Sequence, residues 1–149
     1  MNRPNPSREA QWIREGFTLT EDTGPFVPAI ARVFVKQATP YPIFRVAVER
    51  AQCNGHGIAH GGFLATMADI WLARTVGHLR ADNAPFVTAD LSIDYLRPVP
   101  PGSWLESTID RVKLGRQLCH ASGAMLCGGE PAVAMRATFA VVKPPSGGD

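Results

Sequence analysis

The strongest constraint on the fold is the stretch from Gly61 to Leu72, in which apolar side chains occur on every side of a helix instead of along one stripe. This pattern is typical of a buried helix. We predict that the helix runs from Gly61 to about His78. Any fold of this chain must therefore supply enough apolar surface to cover it.

Alternation of apolar and polar residues with a period of two predicts strands on both sides of this helix. Residues 30–48 form a predicted hairpin, and a short helix is predicted before it, from Ser7 to Glu15 with Ser7 as N-cap. Four strands are predicted after the apolar helix, at 87–95, 104–114, 117–127 and 132–142. A long antiparallel sheet and one buried helix can cover each other only if the sheet curls around the helix. We therefore predict an α+β hot-dog fold, with an antiparallel sheet of about six strands curled around one long central helix, plus a short N-terminal helix.

The first strand after the helix shows the clearest alternation. Its apolar and polar residues are predicted on opposite faces: Val87, Ala89, Leu91, Ile93 and Tyr95 against Thr88, Asp90, Ser92 and Asp94. On this pattern Thr88 belongs to the polar face of the strand.

The composition predicts one ordinary domain over residues 1–149, with flexible tails at 1–6 and 144–149 that are rich in Pro, Gly and Ser. The net charge of +2 gives no argument for nucleic acid, and no apolar run is long enough to span a membrane. The N-terminus lacks the apolar core of a signal peptide, and three cysteines without metal-ligand spacing fit a reducing compartment. We therefore expect a cytoplasmic protein without a metal ion.

Asp69 is the residue of the apolar helix that most suggests chemistry. The residues three and four positions away are Ala65, Thr66, Leu72 and Ala73, so no opposite charge lies one turn away. A buried carboxylate without a partner is costly and is found mostly where catalysis requires it. We predict that Asp69 is catalytic.

The start of the same helix is the second predicted reactive feature. A helix N-terminus presents unpaired N–H groups and a partial positive charge, which suit a developing oxyanion. Gly61 and Gly62 would let a ligand carbonyl approach the backbone without a side chain in the way. The other explanation, that His60 and Asn54 only cap the helix and stabilise its loop, stays open.

Spacing separates these two features within one chain. Asp69 lies eight residues beyond Gly61, about 12 Å along a helix that rises ~1.5 Å per residue. A reacting carbonyl needs both groups within about 3 Å. Two antiparallel copies of the helix could bring them together, so we predict a twofold-symmetric homodimer in which each site combines the helix start of one chain with Asp69 of the other.

The residues of this region carry a family resemblance. Asn54, His60, Gly61, Gly62 and Asp69 form the pattern Asn-x5-His-Gly-Gly-x6-Asp, which resembles that of the hot-dog acyl-CoA thioesterases of the PaaI-like type. The likeness extends from about Gly24 to Lys143 and includes Asp90, Tyr95 and Arg97-Pro98. It implies hydrolysis of an acyl-CoA thioester to the free acid and CoA, without a cofactor, at a dimer interface, commonly with two dimers forming a tetramer.

The resemblance also implies a role for each residue of the pattern. Asp69 would act as general base on water or as nucleophile, two roles that the sequence does not separate. The Gly61 N–H would polarise the thioester carbonyl, and His60 would fix the helix start. Asn54 would hydrogen-bond at the carbonyl or the attacking water. Thr88 falls where some relatives place a hydroxyl that positions this water, although solvent exposure explains a threonine there equally well.

The substrate would need two further surfaces. Cations near the mouth of the site would bind the CoA phosphates, and the candidates near strand ends are Arg97, Lys113 and Arg116. Solvated strand-end charges are the alternative explanation for these three residues. The residues predicted to face the substrate or line the acyl pocket are Gly62, Phe63, Met67 and Trp71, with the loop around Phe26. The sequence does not identify the acyl group.

The same residues also have to be compared with the requirements of other functions. A hot-dog hydratase or dehydratase acting on acyl-CoA or acyl-carrier protein would pair a His with an acid, and His60 is too far along its helix from Asp69 to do so in one chain. A non-catalytic acyl-CoA sensor would keep the pocket without needing the carboxylate. His56 and His60 lack the Glu and the helical setting of a zinc motif, and no triad order supports Cys53 as a nucleophile.

Overall fold

The computed structural model describes residues 6–21 and 24–143. The predicted tails lie outside these ranges except for Pro6, which is the first residue of a helix, where the fixed φ of proline is well tolerated. In chain order the elements are α1 (Pro6–Arg14), β1 (Thr18–Leu19), α2 (Phe26–Ile30), β2 (Val33–Lys36), β3 (Ile43–Ala47), a 3-10 turn (Arg50–Gln52), α3 (Gly61–Leu79), β4 (Phe86–Tyr95), β5 (Trp104–Leu114), β6 (Leu118–Cys127) and β7 (Glu130–Val141).

The strands form one antiparallel sheet in the order β1-β2-β3-β5-β6-β7-β4. The sheet packs against α3, which confirms the predicted hot-dog arrangement. It has seven strands in the described chain instead of about six, because the two-residue β1 is too short to show an alternation. β4 follows α3 in the chain but lies at the edge of the sheet, where it pairs with β7 only.

The core lies between α3 and the concave side of the sheet. The buried residues of α3 are Phe63, Leu64, Met67, Ala68, Trp71, Leu72, Thr75 and Val76. Thr75, the polar member of this set, donates its hydroxyl to the carbonyl of Trp71 at 2.7 Å. Strand residues such as Phe44, Leu105 and Phe139 complete the core.

One side of α3 is not covered within a single chain, which differs from the predicted burial on all sides. We call this side the open face; its residues are exposed or half-buried and comprise Gly62, Ala65, Thr66, Asp69, Ile70, Ala73, Arg74, Gly77 and His78. A single sheet covers only one side of a helix, so a second layer must come from elsewhere if this apolar helix is to be buried fully.

A β-bulge changes the face of Thr88. Thr88 pairs with Phe139 and Asp90 pairs with Thr138, so Ala89 has no partner in β7. The extra residue shifts the alternation by one position. The prediction that Thr88 shares a face with Asp90 is therefore wrong: Thr88 lies on the side that faces α3, together with Leu91.

The N-terminal helix α1 covers the other face of the sheet. It begins at Pro6, one residue before the predicted N-cap Ser7. Trp12 packs with Phe17 and Phe34 in a second, smaller apolar cluster. This cluster supports the sheet from the side opposite α3.

No helix within the described ranges combines the length and apolar content that crossing a membrane requires.

Candidate active site

His60 caps the start of α3. Its ring nitrogen Nδ1 accepts a hydrogen bond from the Gly62 N–H at 2.8 Å, and its carbonyl accepts one from the Leu64 N–H at 3.1 Å. Because Nδ1 is an acceptor, the neutral ring carries its proton on Nε2. The structure thus places His60 where the sequence predicted, at the helix start.

The Gly61 N–H is left free at this helix start. It has no acceptor among the residues that the structure describes. The Gly61 carbonyl accepts a hydrogen bond from the Tyr95 hydroxyl at 2.7 Å. A free N–H at the first position of a helix is a donor for an oxyanion.

The two glycines are explained by their protein neighbours. A Cβ on Gly61 would lie 3.2 Å from the hydroxyl oxygen and from Cζ of Tyr95, and a Cβ on Gly62 would lie 3.1 Å from Nδ1 of His60. Both distances are tighter than ordinary contacts. The role foreseen from the sequence, room for a ligand carbonyl, is therefore not needed to account for these glycines.

Asn54 holds the loop that leads into α3. Its Oδ1 accepts hydrogen bonds from the N–H groups of His56 at 2.9 Å and Ile58 at 3.4 Å. The loop turns at Gly57, whose φ of 75° suits glycine. Because Oδ1 is occupied, the Nδ2 amide is the group of Asn54 that remains available to a ligand.

The histidines of this loop form no metal centre with their neighbours. His56 and His60 are both exposed. Within the described ranges, no group of three His, Cys, Asp or Glu side chains could hold a metal ion together.

Asp69 has a partner on β4. The Thr88 hydroxyl donates to Asp69 Oδ1 at 2.6 Å, and the second carboxylate oxygen has no hydrogen-bond partner in the described part of the chain. Asp69 lies on the open face of α3 and is half-buried. The bulge at Ala89 makes this contact possible, because it keeps Thr88 on the side of the strand that faces the helix.

Two cavities flank the helix start. The first, which we call the apolar cavity, has a volume of about 430 Å³ and lies between α2 and α3, with Phe26, Ile30 and Phe63 in its wall. The second, which we call the loop cavity, has a volume of about 340 Å³ and is lined by the Asn54 loop, Gly61 and the end of β4. The helix start thus lies between the two cavities.

Some of the residues predicted to contact the acyl group line a cavity, and the others lie in the core. Phe63 lines the apolar cavity beside Gly62, and Phe26 lies opposite. Met67 and Trp71 are 0% exposed core residues, and Trp71 stacks on Phe44. Neither residue lines the apolar cavity in the described chain, and their role toward the acyl group stays a prediction.

The three predicted phosphate-binding cations lie in two separate places within one chain. Arg97 lines the loop cavity and forms an ion pair with Glu130 at 3.1 Å. Lys113 and Arg116 flank Gly115, whose carbonyl accepts a hydrogen bond from Arg80 at the opposite end of α3. That end is about 27 Å from Gly61 along a helix of this length. Only Arg97 is therefore near the helix start.

Tyr95 is the site residue to which sequence reasoning gave no role. It lines the loop cavity, and its hydroxyl contacts Gly61. The available signal was its position at the end of β4 on the predicted apolar face.

Comparison with known proteins identifies the family. The model of the thioesterase superfamily matches residues 56–134, a range that includes His60, Gly61, Asp69 and Thr88. The "Putative esterase PA0474" of Pseudomonas aeruginosa is 32% identical to this chain, over 82% of this chain and 91% of its own length.

Solved structures share the fold. A mutant of the phenylacetic acid degradation protein PaaI from Thermus thermophilus superposes with a TM-score of 0.69 at 25% identity, over 79% of this chain and 99% of that protein. The BH2602 protein from Bacillus halodurans, whose structure contains CoA, superposes with a TM-score of 0.62 at 26% identity, over 67% of this chain and 66% of that protein. The chain belongs to the thioesterase superfamily, as a hot-dog-fold thioester hydrolase of the PaaI-like type.

Proposed function

We propose that this protein hydrolyses an acyl-CoA thioester to the free acid and CoA, in a site shared by two copies of the chain. The observation that carries the proposal is the N-terminal half of α3, which offers the free Gly61 N–H at its start and the Thr88-bound carboxylate of Asp69 on its open face. The similarity to a CoA-containing protein supports CoA as the thiol component.

The helix start would stabilise the oxyanion. The Gly61 N–H donates to the thioester oxygen, and the partial positive charge of the helix N-terminus adds to this interaction as negative charge develops. The Nδ2 amide of Asn54 is a second donor, since its Oδ1 already accepts from the loop backbone. Both donors are held by the protein before the substrate binds.

Asp69 and Thr88 would activate the attacking group. The Thr88 proton is committed to Asp69 Oδ1, so the Thr88 oxygen can accept a hydrogen bond from a water molecule while Asp69 Oδ2 takes the proton of that water. Alternatively, Oδ2 attacks the carbonyl carbon directly, the C–S bond breaks with release of the CoA thiolate, and water then hydrolyses the mixed anhydride to the free acid and the Asp69 carboxylate. The geometry is compatible with both routes.

The reaction balances without a cofactor. On the general-base route, the water oxygen bonds to the carbonyl carbon as its proton moves to Asp69. The C–S bond then breaks, and the thiolate leaves and takes up a proton. The products are a carboxylic acid and the CoA thiol. A thiolate leaves readily, so oxyanion stabilisation and water activation are the main requirements.

A second copy of the chain would close the site. Gly61 and Asp69 are separated by about 12 Å along one helix, but an antiparallel α3 packed on the open face brings them together across a twofold axis. Ala65 lies midway between them and would sit on that axis. The unpaired edge of β4, with Val87 56% exposed, offers a place for strand pairing in the same dimer. Association of two such dimers into a tetramer, which the family resemblance implies, is a further expectation.

The two cavities suggest how the substrate lies. The apolar cavity suits the acyl group, because Phe26, Ile30 and Phe63 offer it an apolar wall. The loop cavity suits the CoA arm, because Arg97 stands there and could bind a phosphate. In this arrangement the scissile carbonyl lies at Gly61, between the two cavities.

Thiol release from a panel of acyl-CoA substrates tests the function. We expect wild-type turnover on part of the panel, and a kcat for Asp69→Asn that is lower by about 10³-fold or more. Asp90→Asn, which removes an exposed carboxylate from the same strand as Thr88, is the matched control. Full turnover by folded Asp69→Asn would refute the assignment, and tight acyl-CoA binding without any turnover would identify a sensor instead.

Mixed dimers test the shared site. Asn54→Ala chains and Asp69→Asn chains should each be nearly inactive alone. In their heterodimer one site carries both changes and the other carries neither, so activity should return in one of the two sites. Verified heterodimers that stay inactive would contradict a site shared between chains.

A crosslink tests the proposed register of the two helices. Ala65→Cys should form an intersubunit disulfide on mild oxidation, because its two copies would meet at the twofold axis. Ala73→Cys lies on the same open face, two turns away, and should not crosslink. Equal crosslinking of both variants, or none of Ala65→Cys in a verified dimer, would contradict this register.

A further inference from the structure

We infer that Tyr95 is a positioning residue: its hydroxyl holds the Gly61 carbonyl, in the peptide that follows the oxyanion donor, and so restrains Gly61 with its N–H directed at the substrate carbonyl. This inference rests on the proposed function. It concerns a residue that touches the oxyanion donor and not the reacting atoms.

The helix start needs such a constraint because two glycines occupy its first two positions. Glycine loses more backbone freedom on folding than any other residue and favours the helix less than alanine does. A Gly-Gly start is therefore prone to fraying. An N–H that moves with a frayed turn is a poor oxyanion donor, since the benefit of such donors depends on their being fixed beforehand.

Two side chains hold the Gly61–Gly62 peptide group, one at its carbonyl and one at its N–H. His60 accepts from the Gly62 N–H at 2.8 Å, and Tyr95 donates to the Gly61 carbonyl at 2.7 Å. The Gly61 N–H belongs to the preceding peptide group, whose carbonyl accepts from the Leu64 N–H at 3.1 Å, and it has no acceptor among the described residues. The arrangement thus fixes the neighbours of the oxyanion donor and leaves the donor itself available.

The ring of Tyr95 also restricts Gly61. A Cβ on Gly61 would lie 3.2 Å from the phenol, so the ring packs directly against this part of the backbone. β4 therefore holds the helix start in two ways, by ring contact and by hydrogen bond. The ring contact alone does not set the orientation of the Gly61–Gly62 peptide plane. The hydroxyl sets it by donating to the Gly61 carbonyl.

The alternative is that Tyr95 only joins β4 to α3. However, β4 already packs on the helix through core contacts such as Leu91 and through the Thr88–Asp69 hydrogen bond. Tyr95 is 54% exposed, so removing its hydroxyl leaves no buried group unpaired. A purely structural hydroxyl would affect stability, whereas a positioning hydroxyl would affect kcat.

Tyr95→Phe tests the inference because it removes the hydroxyl and keeps the ring. We expect kcat to fall about fivefold to tenfold, the effect of one lost hydrogen bond on the reaction, with KM and Tm nearly unchanged. Tyr41→Phe, which alters the other tyrosine of the chain, is the matched control and should keep full activity. Full kcat in Tyr95→Phe, or a fall explained by a lower Tm, would overturn the inference.

A double-mutant cycle provides a second measurement. Gly61→Ala should be strongly impaired next to Tyr95, because the new Cβ meets the phenol, and less impaired in the Tyr95→Ala background. Additive effects would contradict direct coupling between the two residues. Wild type and Asp69→Asn are assayed in parallel: if wild type fails to turn over, the proposed function is at fault, and if both behave as expected, the failure concerns Tyr95 alone.

Discussion

The two ends of α3 are built in opposite ways. At the N-terminal half, from Gly61 to Asp69, polar groups are left available: the Gly61 N–H, the Nδ2 amide of Asn54 and one oxygen of Asp69 have no partner within the described ranges. At the C-terminal end, Arg80 uses its guanidinium on three partners, donating to Asp82, to the Gly115 carbonyl at 2.9 Å and to the Cys119 sulfur at 3.0 Å.

The difference shows which end of the helix is structural. Arg80 joins the end of α3 to the turn between β5 and β6, and its side chain is only 7% exposed. The hydrogen bond to Asp82 raises the pKa of Arg80, and the same bond lowers the pKa of Asp82. Groups that are satisfied by the protein stabilise it, whereas groups left unpaired beside a cavity are available to a ligand. Changes at the two ends should therefore have separable effects.

After Asp69→Asn, the largest effect is expected at Thr88. Thr88→Val keeps the shape of the side chain but removes the hydroxyl that donates to Asp69, so we expect kcat to fall about 10- to 100-fold with little change in Tm. Activity measured by thiol release checks this, and Thr88→Ser, which keeps a hydroxyl, should retain most of it. Thr138→Val on β7 is the matched control. If Thr88→Val keeps full kcat, the N-terminal half of α3 does not work as proposed.

A smaller effect is expected at His60. His60→Ala removes the cap of Gly62 and should reduce the free energy of unfolding by roughly 1 kcal/mol. We also expect a severalfold fall in kcat, because the Gly61–Gly62 peptide group loses one of its two side-chain hydrogen bonds. Urea unfolding and kcat measured together check this. His60→Asn supplies another capping oxygen and should recover both values. A loss of stability without any loss of kcat would mean that capping and catalysis are separate.

At the other end, Arg80→Met should lower Tm by several degrees and leave kcat nearly unchanged, because it removes the hydrogen bonds that join α3 to the β5–β6 turn. Thermal unfolding measures the first quantity and thiol release the second. Arg111→Met, a change at an exposed arginine of β5, is the control for loss of positive charge. A large fall in kcat without a change in Tm would contradict the structural role of this end.

The smallest effect concerns acid stability. The pKa of Asp82 in the folded chain lies below its ordinary value of 3.8, first because Arg80 donates to it. Near and below the ordinary pKa of 3.8, the unfolded chain binds more protons than the folded one, so the free energy of unfolding decreases as pH falls. The contribution of Asp82 is complete above the ordinary pKa and is lost as pH falls through the folded pKa.

Urea midpoints of wild type and Asp82→Asn between pH 7 and pH 3 measure this contribution. The difference between the two proteins should shrink at the acid end. A difference that stays constant with pH would show that the carboxylate charge of Asp82 is not what stabilises this end.

Long periodic segments were predictable from the sequence. β5 has the predicted bounds of Trp104 and Leu114, and α3 begins at Gly61 and ends one residue beyond the predicted His78. These elements repeat one pattern over many residues, so tertiary contacts only reinforce it. By contrast, β1 has two residues and α2 has five, too few for a period to show.

The contacts of the site were less predictable. The bulge at Ala89 leaves no trace in a strand whose sequence alternates without interruption, because it is set by pairing with β7. The contact of Tyr95 with Gly61 joins residues 34 positions apart, and only the fold brings them together. The motif from Asn54 to Asp69 contains the groups predicted to be catalytic, whereas the hydroxyls that contact Asp69 and Gly61 lie on β4.

The position of β4 at the edge of the sheet matters for directed evolution of this protein. The same ten residues form the unpaired edge of the sheet and carry both Thr88 and Tyr95. An exposed edge strand is a template for unwanted aggregation. A screen for solubility that changes this edge at Thr88 or Tyr95 is therefore expected to change turnover as well.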